Sequence, residues 1–495
     1  MLSALLVLGG LALLGWTFFQ ARRQGRVGVL SWLQSVVLFS PWLFFLVLVT
    51  FGVLPNPVLL VALLVTTTVG YLWVGNRLRD AVRERDQQLR EQQLQQLQAA
   101  SQNGEPIVFE PLTPRPAIPE DDLQSIRGIF GIDTFFATET QSLPQGILFK
   151  GNLRGESSVV FQALNSRLQD LFKDRYRLFL LADEDQKPTV LVVPSSEDPF
   201  QPGRVGWPVA LLLLVATTIS LVALAAGMLE FDPLSRPDRL GEALVVAAGV
   251  LFTLGLHEAG HRWQAGRWGV RLSPGFLVPL FSPLPLAPFG FGLWPGSFGA
   301  ITRFESPPPS RRALFDIALA GPLFGGLASL SFLLVGLGLS TTATEPGSYA
   351  GRLGDLSQIS LLMSVLLKLR FWQLPGEQLI LLNPLTFIGS LGLTIHALCL
   401  LPSGQLDGGR IVQAVYGRRT ARITGLVTVV VLAVAGLLAP QPFLFWAAVL
   451  FLVGRIPERP TLDELTETDP ARDIAAIVAL FAMAAVLLPP FSLGG

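Results

Sequence analysis

Residues 240–266 read LGEALVVAAGVLFTLGLHEAGHRWQAG. The run up to His257 is almost wholly apolar. At 1.5 Å per residue it is long enough to cross the ~30 Å hydrocarbon core of a bilayer. It closes on His257, Glu258 and His261. On a helix, positions i and i+4 share a face, so both imidazoles can reach one Zn²⁺. Glu258 sits beside that position, where a carboxylate can accept the proton of a zinc-bound water. Ionisable groups at membrane depth are costly and by default functional. The competing reading is that the three side chains snorkel to the interface beside Arg262.

The remaining sequence agrees with a membrane setting. Of 495 residues, 51% are hydrophobic and 15% are charged, against roughly 25% charged in an average soluble protein. Mean hydropathy is +0.52. Such a composition excludes a disordered chain, a nucleic-acid-binding domain and most soluble enzymes. The 36 basic and 36 acidic residues balance, so no net field gathers polyanions. The single Cys399 excludes a disulfide framework and a cysteine zinc cluster. With only His257, His261 and His396 present, any metal site draws on few donors.

The expected fold class is an α-helical polytopic membrane protein of about ten transmembrane helices with a small cytoplasmic α+β domain. The expected spans lie near residues 1–19, 29–53, 57–75, 207–229, 240–260, 313–339, 381–402, 423–438, 442–454 and 473–491. The two before the last are short and suit a hairpin at Pro440 and Pro442. The first reads as an uncleaved anchor, since no basic n-region or small-residue cleavage site accompanies it. Residues 356–372, amphipathic with Lys368 and Arg370 at one end, are expected on the membrane surface.

Sixteen arginines flank the spans on one side and five lysines and arginines on the other. By the positive-inside rule the first side is cytoplasmic, and both termini face away from it. On that side lies one polar insert, from about 76 to 206. Its first part, RLRDAVRERDQQLREQQLQQLQAA, forms a solvated Gln-rich helix or a partner-binding coil. Residues 104–121 read as a linker. From about 122 the pattern turns globular. DTFFATET, GILFKGNL, YRLFLLAD and TVLVVPS read as strands. SSVVFQALNSRLQDLFKD reads as an amphipathic helix buried at Val159, Phe161, Leu164, Leu168 and Leu171. This domain holds no histidine or cysteine and suits recognition or regulation.

Catalytic zinc commonly takes three protein ligands and keeps one open position. The third candidate is Asp407 in LLPSGQLDGGR, again at the cytoplasmic end of an expected span. Gly404, Gly408 and Gly409 are expected to loosen the backbone there and Pro402 to break the helix, so the carboxylate can turn back to the metal. The competing reading of Asp407 is a turn residue.

Four features together make the chain resemble the site-2 protease class of intramembrane zinc metalloproteases. They are His257-Glu258-x-x-His261, Leu406-Asp407-Gly408 after Leu401-Pro402, Ala320-Gly321-Pro322 with Gly325, and the insert with GIFGIDTFFATET and Gly151-Asn152-Leu153-Arg154-Gly155. The insert makes it most similar to the cyanobacterial and chloroplast branch called ethylene-dependent gravitropism-deficient and yellow-green. The resemblance covers most of residues 120–420. It implies hydrolysis of a peptide bond within a substrate's transmembrane helix, one Zn²⁺ per chain, and a bacterial, cyanobacterial-type plasma or thylakoid membrane with the active site near the cytoplasmic face.

One departure stands out. The class usually carries Asn eight residues before the aspartate ligand, where it holds the substrate carbonyl or oxyanion. Here that position is Cys399, a weak donor. His396, three residues earlier, shares the helix face and can supply the missing hydrogen bond; the competing reading is a packed or membrane-facing histidine. The Pro- and Gly-rich apolar stretch 272–310 cannot be a regular helix. At membrane depth such backbone survives only when buried in protein or lining a watery cavity. The class has a re-entrant element or β-hairpin there, which would pair with an unwound substrate.

The domain reading is 1–75, an N-terminal three-helix membrane region; 76–121, the Gln-rich helix and linker; 122–206, the α+β domain; and 207–495, the membrane-embedded zinc protease core with C-terminal helices. The expected partners are a transmembrane protein substrate, the lipid bilayer and a regulatory partner of the cytoplasmic domain, with no nucleic acid. The functional reading is an intramembrane zinc endopeptidase. Its rivals are a non-proteolytic relative acting as a membrane chaperone or scaffold, and a metal transporter. Transport would call for polar groups in several spans, and the spans here are nearly free of them.

Overall fold

The structure is a computed structural model. It describes residues 15, 17–19, 21–23, 25–50, 66–67, 69–70, 73–81, 84 and 118–490, less 144, 184–186, 198–199, 201–205, 281–294, 346–348, 439–442 and 455–456. The expected first span, most of the third and most of the Gln-rich helix lie outside the described residues. Two units are distinguished, Met1–Pro116 and Ala117–Gly495. In the first, helix α1 (Gly25–Thr50) covers most of the expected span 29–53. Arg26 pairs with Glu84 at 2.7 Å, and Gly75 and Gly70 lie against Gln34 and Val37.

The second unit opens with a four-stranded antiparallel sheet and two helices. After α2 (Glu120–Arg127) come β1 (Phe135–Leu143), β2 (Gly146–Leu153), α3 (Ser157–Phe172), β3 (Tyr176–Ala182) and β4 (Pro188–Pro194), in the sheet order β1-β2-β4-β3. Alternation along β3 and β4 divides their side chains between two cores. Leu178, Leu180, Val190 and Val192 face α2 and α3. Phe179 and Val193 face the other way, onto Ala265, Phe304 and Leu314 of the helical region. The Tyr176 hydroxyl donates to Asp122 at 2.5 Å; burial, together with that carboxylate, pushes its pKa up to about 12. The four strands match the expected stretches. The buried stripe of α3 is instead Val160, Phe161, Leu164 and Leu168, while Val159 and Leu171 are exposed. At 100° per residue, Val159 falls on the face opposite a stripe centred on Leu164 and Leu168, whereas Leu171 is in line with that stripe and is exposed in the helix's last turn.

The helical region comprises α4 (Trp207–Met228), α5 (Leu240–Arg267), β5 (Phe276–Pro279), β6 (Ser297–Ile301), α6 (Arg311–Leu339), β7 (Thr341–Ala343) and β8 (Ala350–Arg352). It continues with α7 (Leu361–Arg370), β9 (Leu379–Leu381), α8 (Pro384–Cys399), α9 (Asp407–Leu438), α10 (Phe443–Val453) and α11 (Pro470–Leu487). Five helices among the described residues are long and apolar enough to cross a membrane: α4, α5, α6, α9 and α11. Two expected crossings come out short. Helix α8 has 16 residues, about 24 Å, and α10 has 11. Helix α8 is buried along nearly its whole length, so protein rather than lipid surrounds it and the bilayer sets no minimum length. Helix α7, with ten residues, is too short to cross, as expected of the amphipathic segment.

Helix α6 is the centre of the bundle, packed along both α5 and α8. Its N-terminus is capped by Ser310. Arg311 donates to the carbonyls of Ala414 and Val415 at 2.7 and 2.6 Å. There α9 is interrupted, with Gly417 at φ 83°, and Arg311 takes up carbonyls that the break would strand. Arg472 of α11 forks onto Asp316 of α6, 2.8 Å from each carboxylate oxygen. That pair occupies both oxygens of the Asp316 carboxylate.

Residues 457–469, before α11, tie the sheet to the bundle. Leu180 of the edge strand β3 donates to Leu462 O at 2.8 Å, and Glu464 N donates back to Leu180 O at 2.9 Å. On its other side the same segment bonds Pro308 O and Pro309 O. Burial holds the Glu464 carboxyl above the usual carboxylate range. The β3 edge, which would otherwise offer unpaired backbone groups, is thereby covered.

Candidate metal centre

His257 and His261 sit in the C-terminal half of α5, one turn apart and 1% and 3% exposed. Asp407, 6% exposed, is the first residue of α9. His257 Nε2 and His261 Nε2 are 3.0 Å apart. Asp407 Oδ2 lies 3.3 Å from the first and 3.4 Å from the second. Bond lengths of about 2.0–2.2 Å around a tetrahedral ion require donor separations of roughly 3.3–3.6 Å. The two Asp407 separations fall in that range and the 3.0 Å between the imidazoles a little under it, so the three donors converge on one point, and among the described residues no other group of histidine, cysteine and carboxylate donors does so.

The backbone around Asp407 differs from the loop expected there. Asp407 starts a helix, and Gly408 and Gly409 belong to its first turn. A Cβ on Gly408 would stand 1.9 Å from Leu400 O, and one on Gly409 2.4 Å from Gly404 O. These glycines do not loosen the chain. They let the start of α9 press against the end of α8, which carries the carboxylate to the histidines. The small residues of α6 act likewise. A Cβ on Gly321 would lie 2.2 Å from His261 Nε2, and one on Gly325 2.5 Å from His396 and 2.9 Å from His257 Cβ. The imidazoles occupy the volume that side chains at those two positions would fill.

Each ligand candidate is held from behind. His261 Nδ1 is 2.7 Å from Ile317 O of α6, so the ring donates there and leaves Nε2 free. His257 Nδ1 is 3.1 Å from His396 Nδ1. Asp407 Oδ1 faces Arg410 at 3.6 Å. Arg410 also donates to Glu458 at 2.9 Å and to Thr302 O at 2.8 Å, and its guanidinium lies over the Phe304 ring.

Glu258 is not one of the converging donors. Its Oε2 accepts from Thr302 at 2.6 Å, and its Oε1 pairs with Arg262 at 2.7 Å. Gly275 leaves room for it, since a Cβ there would be 2.8 Å from the Glu258 carboxyl carbon. Gly275 immediately precedes β5, and Thr302 immediately follows β6. These strands form the antiparallel hairpin expected within 272–310, pairing Phe276 with Ile301 and Leu277 with Ala300; residues 281–294 between them lie outside the described residues. Cys399 donates to Phe298 O of β6 across 3.8 Å and meets the backbone of Gly299. His396 is inside the site but turned toward His257, not toward the hairpin. Thr302, Arg410 and Glu458 were not singled out in the sequence. Arg410, at i+3 from Asp407, was readable once a helix is started at Asp407; Thr302 and Glu458 carry no local signal.

Residues 245–438 match the model of peptidase family M50, and residues 124–199 match that of the EGY3 middle domain. The chain is 32% identical over 404 residues to the "Probable zinc metalloprotease EGY1, chloroplastic" of Arabidopsis thaliana, covering 73% of this chain and 70% of that protein. The chain belongs to the EGY branch of the M50 peptidases. It is also 34% identical over 393 residues to the "Probable zinc metalloprotease EGY2, chloroplastic" of Arabidopsis thaliana, covering 76% of this chain and 66% of the relative. The corresponding figures for the Arabidopsis "Probable zinc metallopeptidase EGY3, chloroplastic" are 31%, 70% and 61%. The chain thus spans a little under two thirds of the length of the EGY2 relative. No solved structure matches it.

Proposed function

We propose that the chain is an intramembrane zinc endopeptidase that cuts transmembrane helices of membrane-protein substrates, an activity suited to regulated intramembrane proteolysis. The observation that carries this reading is the meeting of two imidazole nitrogens and one carboxylate oxygen at 3.0–3.4 Å, at the end of a membrane-length helix. His257, His261 and Asp407 are the ligands. Zinc held there would supply Lewis acidity to a water and to a substrate carbonyl. Glu258 takes the proton of the attacking water. Thr302 and Arg262 hold its carboxylate on the hairpin side, where the substrate enters. The hairpin of β5 and β6, whose flanking Thr302 bonds Glu258, is where we place a substrate segment that has left its helix and whose own N–H and C=O groups then need partners. Incubating the purified chain with a single-span substrate in liposomes tests the reading. New termini inside the span support it; cleavage only outside the span overturns it.

The arginine asymmetry supports a cytoplasmic location for the metal centre and for the α+β domain packed at the same end of α5. The membrane we propose is a plasma or thylakoid membrane. A reporter fused after residue 120 should read as cytoplasmic, and an exported signal would reverse the orientation.

A further inference from the structure

We propose that His396 is a positioning residue for the metal centre: it fixes the His257 ring by accepting the His257 Nδ1–H, and it contacts neither substrate nor metal. This rests on the zinc-site reading above.

A neutral imidazole has one N–H and one lone pair. His257 turns Nε2 toward His261 and Asp407, so a metal there takes the Nε2 lone pair and the proton must sit on Nδ1. Only an acceptor can face that proton. The atom facing it is His396 Nδ1 at 3.1 Å. His396 must then carry its own proton on Nε2, and Nε2 is a buried atom without a hydrogen-bond partner. Buried donors are ordinarily paired, so an unpaired one calls for an explanation. Here it follows from committing the other nitrogen to His257.

The surroundings fix this arrangement. The two ring planes are only 12° apart, with centroids separated by 5.0 Å, so the two Nδ1 atoms meet edge to edge. His396 is 2% exposed, and Gly325 is the only residue type its ring leaves room for at that point of α6. A substrate carbonyl cannot reach a buried Nε2 walled in by α6, which removes the oxyanion role considered for this residue from the sequence. Metal-binding histidines usually give their second N–H to a carboxylate, carbonyl or water. His261 does so, to Ile317 O; His257 uses an imidazole instead.

The test is zinc affinity of the full-length chain in detergent, measured by chelator competition, together with the visible spectrum of the Co²⁺-loaded protein. His396→Leu fills the volume and removes the acceptor. It should weaken zinc binding about 10–100-fold, the usual cost of losing such a partner, and alter the Co²⁺ bands. His396→Asn places Oδ1 where Nδ1 stood and should restore affinity to within about threefold of the original, as expected of a retained outer-shell acceptor. Equal affinity of His396→Leu and the unmodified protein overturns the proposal, as does equal weakening in the Leu and Asn variants. His257→Ala separates the two readings. If it binds zinc as tightly as the unmodified chain, the zinc site itself is wrong and the role of His396 falls with it. If it loses zinc while His396→Leu does not, only the role of His396 is overturned.

Discussion

Glu258→Gln should lower cleavage of a single-span substrate by about 10²–10⁴-fold, the usual contribution of a positioned general base, while bound zinc stays at one per chain. The substitution keeps size and shape, so an amide oxygen can still accept from Thr302, whose hydroxyl lies 2.6 Å from the present carboxylate. What is lost is the ability to take a proton. Zinc should be unaffected because Glu258 stands outside the converging donors. His257→Ala and Asp407→Ala should behave oppositely. Each removes one of three donors lying 3.0–3.4 Å apart, and bound zinc should fall along with turnover. Metal content by mass spectrometry and fragment yield on one substrate give both readouts. Zinc lost from Glu258→Gln would make Glu258 a ligand; full turnover would remove it from the chemistry.

The elements legible in the sequence are those whose signal is local. His257 and His261 are one helical turn apart, so their common face follows from the spacing alone. The strands of the α+β domain are short runs rich in apolar, β-branched and aromatic residues. The membrane helices announce themselves by length. What escaped is what depends on two remote segments meeting. The glycines at 404, 408 and 409 suggested a slack loop, because nothing in the sequence shows that Leu400 O and Gly404 O lie where their side chains would go. His396 was set beside Cys399 because the two share a helix and one stands in the family's asparagine position. Its partner is His257, 139 residues away, and Gly325, which makes room for the pair, sits on a third helix. The crossing expected at 381–402 came out short for the same reason: whether an apolar helix faces lipid or protein is set by its neighbours. Arginines counted only as markers of the cytoplasmic side also do structural work, Arg311 on α9, Arg472 on Asp316 and Arg410 on Glu458.

Arg410→Met should destabilise the folded chain by about 3–5 kcal/mol, the usual cost of stranding one member of a buried ion pair. Arg410 and Glu458 are both almost fully enclosed, with side chains 7% and 6% exposed and 2.8 Å apart. Removing the guanidinium leaves Glu458 charged among protein atoms and takes the donor from Thr302 O. It also removes the only cation near Asp407 Oδ1 that the described residues provide as an ion pair. Glu458 belongs to the segment that covers the β3 edge, so loss of the pair should loosen the α+β domain from the bundle as well as the start of α9. The expected result is a lower unfolding midpoint in detergent and faster proteolysis within 457–469. Replacing both partners, Arg410→Met with Glu458→Met, removes the stranded charge and should recover more than half of the lost stability, because two apolar side chains of similar volume can replace a buried pair at little net cost. Zinc affinity need not recover with it, since Asp407 still lacks its arginine. A double variant as unstable as Arg410→Met alone would show that the arginine acts through Thr302 and Phe304, and that the pair with Glu458 contributes little to holding the domain on the bundle.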